Sequence, residues 1–198
     1  MPTIQEVAMK KLHPTQLTVG MIEMKDKAHH LEKLSAADQR EFMRAHPIPA
    51  VVGPGMGLFI TDHHHLGRAA LEADVSTGFL QVEADLSALD GGAFWKEMDR
   101  RSWVHPLDEN GVRHQYSSIP KHLEQLVDDV YRSLAGFVRD AGGYEKSQAA
   151  FTEFIWADFF RRQIAIEDVK ADFKAAVAFG LTLARGDRAR PLPGFHGK

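Results

Sequence analysis

Between Gly57 and Ala73 the chain reads GLFITDHHHLGRAALEA, and its apolar spacing changes period inside that stretch. Leu58, Phe59 and Ile60 form a short continuous apolar run that suits a buried strand. Leu66, Ala69, Ala70 and Ala73 recur at i, i+3, i+4 and i+7, the spacing of one helix face. Strand must give way to helix within about four residues, and Asp62-His63-His64-His65 occupies the junction. The first turn of a helix carries backbone N–H groups without intrahelical acceptors and a partial positive charge. A polar turn leading into it is therefore a seat for phosphate or another anion. Successive side chains of an extended turn alternate sides, so His63 and His65 would face together and, with Asp62, offer a facial set for a divalent metal. The competing expectation is a histidine-rich turn whose rings cap backbone groups and pack the helix start.

The rest of the composition bounds the chemistry. Of 198 residues, 44% are apolar and 26% charged, enough for an ordinary core in one domain or in a small domain with a helical extension. No run approaches the roughly 18 apolar residues of a membrane span, so a soluble, cytoplasmic protein with no membrane partner is expected. The absence of cysteine excludes disulfides, thiolate metal sites and a Cys nucleophile. A formal net charge of −3 disfavours nucleic acid as a partner over the whole surface, because nonspecific binding needs clustered Lys and Arg.

Along the chain, residues 10 to 25 suggest a loop entering a short strand or turn, punctuated by Pro14 and Gly20. Ser35-Ala-Ala-Asp38 has capping-box spacing and predicts a helix over 36–45 with Phe42 inward, stopped at His46-Pro47. Pro49 to Val52 predicts a strand, and Gly53-Pro54-Gly55 a hairpin turn. Phe79 to Val82 gives a further strand, ending at Glu83 and Asp85, two carboxylates on one face that either hold a hard cation or finish an edge strand. Beyond Leu89 the pattern turns helical: a short helix near Phe94 to Met98, a long one starting at Pro120 and stopping at Gly142-Gly143, then segments over 150–164 and 166–184. Asp128 and Arg132 are spaced as an i, i+4 ion pair, and so are Asp158 and Arg162. These readings divide the chain into a domain at 1–88, a helical extension over 89–185 packed on it, and a flexible tail at 186–198.

The run ITDHHHLGRAALEA resembles the core motif of the ParB/sulfiredoxin superfamily, in which a strand ends in an Asp-Gly-His-His-Arg turn followed by a helix beginning Leu-x-Ala-Ala. The triple histidine is most similar to the branch known as putative ParB-like nucleases. The resemblance implies an α+β fold, a small sheet with helices, and a turn that holds nucleotide phosphates. His64 and His65 match the motif's His-His, His63 stands at its Gly and Leu66 at its Arg. Sulfiredoxin chemistry is excluded, since it needs a cysteine. Serine kinases of the group place a catalytic Glu before Gln-Leu; here Thr15 precedes Gln16-Leu17, and Glu23 is the nearest acidic candidate.

The resemblance therefore nominates His64 and His65 as acid, base or electrophile, with Asp62 or Glu23 orienting them. His63, Thr61, Gln16 and Arg68 become ligand contacts. Arg132 and Arg139 are candidates to replace the missing Arg, on condition that the extension covers the turn. The cofactor implied is a nucleotide with magnesium, or a divalent metal held by His63, His65 and Asp62. Three functions follow: phosphate chemistry, either hydrolysis by a nuclease or nucleotide-dependent phosphotransfer; a DNA-associated ParB-like module; and a noncatalytic ligand-binding protein.

Overall fold

The structure, a computed structural model, describes residues 4–197 and is mixed α+β. It divides into two compact units: one takes the chain up to Val19, then Met24–Asp108 and Arg113–Val127; the other takes Gly20–Glu23, Glu109–Val112 and Asp128 onward. Residues 89–108 and 113–127, assigned from sequence to the helical extension, thus belong to the first unit.

The first unit is built on a five-stranded sheet. Its strands are β1 (Ile4–Ala8), β2 (Leu12–His13), β4 (Ile48–Val52), β5 (Leu58–Ile60) and β6 (Thr77–Asp85), in the order β1-β6-β4-β5-β2. A two-residue strand, β3 (Thr18–Val19), lies outside this sheet. β6 runs antiparallel to β1 and parallel to β4, β4 antiparallel to β5, and β5 parallel to β2. The predicted hairpin at Gly53 joins β4 to β5 through a 3-10 turn, closed by Gly53 N–H donating to Gly57 C=O at 2.8 Å.

Helix α2 (Ala36–Ala45) has the predicted bounds, capped by Ser35 Oγ accepting from Asp38 N–H. Met43 is its buried residue, whereas Phe42 is only half-buried, stacked on the ring of His46 and tilted against that of His30. Phe79 of β6 lies under the guanidinium groups of Arg40 and Arg44. Helix α4 (Gly91–Arg100), capped by Asp90, buries Phe94 and Met98 in a cluster with Val51, Leu86, Val104 and Ile119, against which Phe59, Trp95 and Tyr116 also pack. Pairing of Val51 with Phe59 across β4 and β5 puts both on the face that meets α4.

Residues 10 to 25 are more regular than the punctuation suggests, because α1 (Met21–Glu32) begins directly after Gly20. Its first N–H groups are capped from far along the chain: Met21 N–H donates to Asp128 Oδ1 at 2.9 Å and Ile22 N–H to Ser133 Oγ at 3.2 Å. No local signal could announce a cap more than a hundred residues away.

The second unit is helical: α5 (Val130–Asp140), α6 (Thr152–Arg161), α7 (Ile166–Ala171) and α8 (Phe173–Ala184). The long helix expected from Pro120 is much shorter. Asp129 is its N-cap and accepts from the N–H groups of Tyr131 and Arg132, while Leu123–Gln125 forms a separate 3-10 turn. Asp172 splits the last predicted helix by capping α8 through Ala175 N–H. The expected pairs Asp128–Arg132 and Asp158–Arg162 are replaced: Arg132 engages Glu23, and Arg161 engages both Asp129 and Asp158.

The core gathers Leu134, Val138, Tyr144, Trp156 and Phe160, with Tyr144 and Trp156 stacked 4.1 Å between centroids. The segment expected to be a flexible tail packs on this core. Trp156 Nε1–H donates to Pro193 C=O at 2.8 Å, Glu145 N–H to Gly194 C=O at 2.8 Å, and Leu192 and Phe195 contact the cluster. The driving force is burial of their apolar surface. Among the described residues, no helix is long and apolar enough to cross a membrane.

On α4, Glu97 accepts from Arg100 and Arg101, whose hydrogen bonds hold its carboxyl at about 2, below the ordinary 4.5. A depressed carboxylate pKa contributes stability that is complete above the unfolded value and is lost as pH falls through the folded one. In thermal melts, Glu97→Gln is expected to be less stable than the parent at neutral pH, with the gap closing between pH 4.5 and about 2.

Candidate functional site

β5 ends at Ile60, α3 runs His64–Glu72, and the turn between them is the strand-to-helix junction expected from periodicity. Leu66, Ala69 and Ala70 are buried as the helical face requires, and Gly67 fits closely against Leu123, with a Cβ placed only 3.1 Å from its Cδ1. The N-cap of α3 is His63, in the left-handed region at φ 60°, ψ 26°, and its side chain makes no cap. This conformation explains what the motif's glycine does there: it supplies a positive φ. Here a histidine accepts that geometry, at a steric cost of roughly 1–2 kcal/mol for a residue with a Cβ. Asp62 eases the turn, its Oδ1 accepting His63 N–H at 2.6 Å.

The left-handed residue also ends the side-chain alternation on which the metal reading rests. His64 and His65 already belong to the helix and are buried, whereas Asp62 and His63 are exposed. The facial set does not form, and among the described residues no three His, Asp or Glu side chains are arranged to hold a metal ion. The carboxylates at the end of β6 are separately engaged. Glu83 Oε2 accepts from Thr61 Oγ1 at 2.7 Å, and Asp85 accepts from Ser87, which holds its carboxyl below the usual range.

His64 has a specific structural task. Its Nε2 accepts the backbone N–H of Thr15 at 3.0 Å. A backbone N–H can only donate, so Nε2 carries the lone pair and the neutral ring holds its proton on Nδ1. Thr15 is fixed on two further sides, its Oγ1 donating to Ile60 C=O at 2.8 Å and its C=O accepting from His105 N–H at 2.8 Å. Gln16 is buried and donates through Nε2 to Thr18 C=O at 2.6 Å. The histidine turn, the end of β5 and the segment after His13 are thereby locked together.

Arg68 does not turn back toward the histidines. Its Nη1 pairs with Glu72 at 2.8 Å, one turn further along α3. The other candidates, Glu23, Arg132 and Arg139, all lie in the second unit. There Glu23 pairs with Arg132 at 3.1 Å, and Arg139 pairs with Glu153 and Asp140. Sequence reasoning missed Thr15 as the partner of His64 and Glu153 as the partner of Arg139; both contacts join segments that only the fold brings together.

A family model described as Putative ParB-like nuclease matches residues 5–162. The chain belongs to that family. The match extends through α5 and α6, so these two helices of the second unit are part of the family pattern, while α7 and α8 lie beyond the matched residues. The crystal structure of protein Atu1540 from Agrobacterium tumefaciens is similar throughout, with 38% identity, a TM-score of 0.93, and coverage of 100% of this chain and 98% of that one. No curated protein matches the chain.

Two outcomes follow for this ParB-like protein. His64→Ala leaves the buried Thr15 N–H without its acceptor, and urea denaturation should show a loss of about 1–3 kcal/mol. At position 63 the stability order should be Gly at least equal to His, then Ala, then Val, with Val lower than Gly by about 1–2 kcal/mol because only a positive φ fits the turn; an order led by Val would contradict the left-handed assignment.

Proposed function

We propose that this chain binds a phosphate-bearing ligand at the turn between β5 and α3 and acts on it by acid–base chemistry, as a phosphodiester hydrolase. The observation that carries this reading is the His63 N–H, which already takes a carboxylate oxygen, that of Asp62, at 2.6 Å. Backbone in a left-handed residue followed by a helical one presents successive N–H groups to a common concavity, and the helix start adds its partial positive charge. A phosphate oxygen suits the same environment. Asp62 and His63 are exposed and able to exchange protons with a bound ligand, while His64 positions the turn through Thr15. The description of the family as nuclease-like favours hydrolysis over transfer from a nucleotide.

The test uses the full chain with supercoiled plasmid and a single-stranded oligonucleotide, each with Mg²⁺ or Mn²⁺. Cleavage should fall about 10²-fold or more in Asp62→Asn and in His63→Ala, the range for losing a general acid or base. Asn keeps the acceptor for His63 N–H but not the charge. Cleavage unchanged in both variants would remove the turn from the chemistry. A thermal shift with ATP, ADP or CTP plus magnesium, lost in His63→Ala and unaccompanied by cleavage, would replace hydrolysis with nucleotide binding at the same turn. The absence of both cleavage and thermal shift would overturn the proposal.

A further inference from the structure

Within the second unit, Arg132 is buried on α5 with only 10% of its side chain exposed. Its Nη1 donates to Glu23 Oε2 at 3.1 Å, and its guanidinium carbon stands 5.4 Å from the centroid of the Phe154 ring. Its Nε is buried and has no hydrogen-bond partner among the described residues. In a guanidinium group, Nε–H and one Nη2–H point in parallel from the same edge, spaced for two oxygens of a phosphate or carboxylate. Glu23 is bonded at Nη1, which leaves that edge to another acceptor.

Two other arginines of this unit differ. Arg139 is bound by both Glu153 and Asp140. Arg161 also has an unmatched Nε, but its Nη2 is held by Asp129 at 2.7 Å, which closes the edge. The placement of Arg132 is built into the helix as well. At Gly136, one turn on, a Cβ would stand 2.8 Å from Glu23 Oε2 and 3.5 Å from Arg132 Nη1. The missing side chain at Gly136 gives the pair room to lie against the backbone of α5.

We propose that Arg132 receives an oxyanion, the oxygens of a phosphate or carboxylate group, on its Nε–Nη2 edge, with Glu23 fixing the opposite side of the guanidinium. This site belongs to the second unit and stands independently of the β5–α3 turn. Glu23 already balances the charge of Arg132, so an incoming anion meets a nearby negative group. That gives the site a distinguishing property: neutralising Glu23 strengthens binding.

The experiment titrates inorganic phosphate, and separately acetate, into the full chain while following the Nε–H resonance of Arg132 by ¹H–¹⁵N NMR, assigned by its disappearance in Arg132→Lys. The resonance is expected to move saturably with at least one anion, and the tighter of the two identifies the oxyanion class. Arg132→Lys keeps the charge but not the fork; followed by the backbone amide resonances of α5 in both proteins, saturation should then need about tenfold or more anion, the equivalent of one charge-assisted hydrogen bond. Glu23→Gln should bring saturation to lower anion concentration. It decides the matter alone if Arg132→Lys does not fold. A resonance unmoved by both anions in the parent and in Glu23→Gln overturns the proposal and leaves a hydrated guanidinium. Phosphate held only at the β5–α3 turn would leave this resonance in place while protecting the turn, so the two readings fail separately.

Discussion

The acceptance of Thr15 N–H by His64 Nε2 is the contact on which the geometry of the first unit turns. It joins a helix start to a loop nearly fifty residues earlier, and the same threonine reaches back to Ile60, the last residue of β5. The imidazole therefore does more than fill space. It satisfies a buried backbone donor that has no strand neighbour, and such a donor is costly to leave unmatched. Because its accepting nitrogen is taken, His64 serves the turn by holding it.

The second unit uses charge in the same structural way. Asp129 caps α5 with one carboxylate oxygen while the other meets Arg161, whose guanidinium also lies over the ring of Tyr131. Burial pushes its carboxyl above the usual pKa even against these partners. Glu23 and Arg132 form a second such pair, and Arg139 with Glu153 a third. Buried ion pairs add little net stability relative to apolar replacements, but losing one member is severe because the other charge stays behind. Arrangements of this kind fix how helices meet.

How much of this was legible beforehand depends on the distance between partners. The switch from strand to helix at Ile60–His64, the hairpin at Gly53 and helix 36–45 rest on local periodicity and local caps, and the structure reproduces them. Helix α1 was not foreseen and the start of α5 was misplaced, because their starts are set by Asp128, Ser133 and Asp129, residues whose capping role appears only in three dimensions. The metal set at the histidines was misjudged for another reason. Alternation assumes extended backbone, and one left-handed residue at His63 ends it. The order of the final segment escaped notice because Pro193 offers a carbonyl, not a patterned side chain, to Trp156.

That last contact bears on how the molecule is made. The second unit draws Gly20–Glu23 from the beginning of the chain and needs residues 192–195 to cover its aromatic centre. During synthesis, the indole of Trp156 waits for nearly forty further residues before its acceptor leaves the ribosome. The interior of the helical unit is complete only once translation has passed residues 192–195, the last segment to cover it.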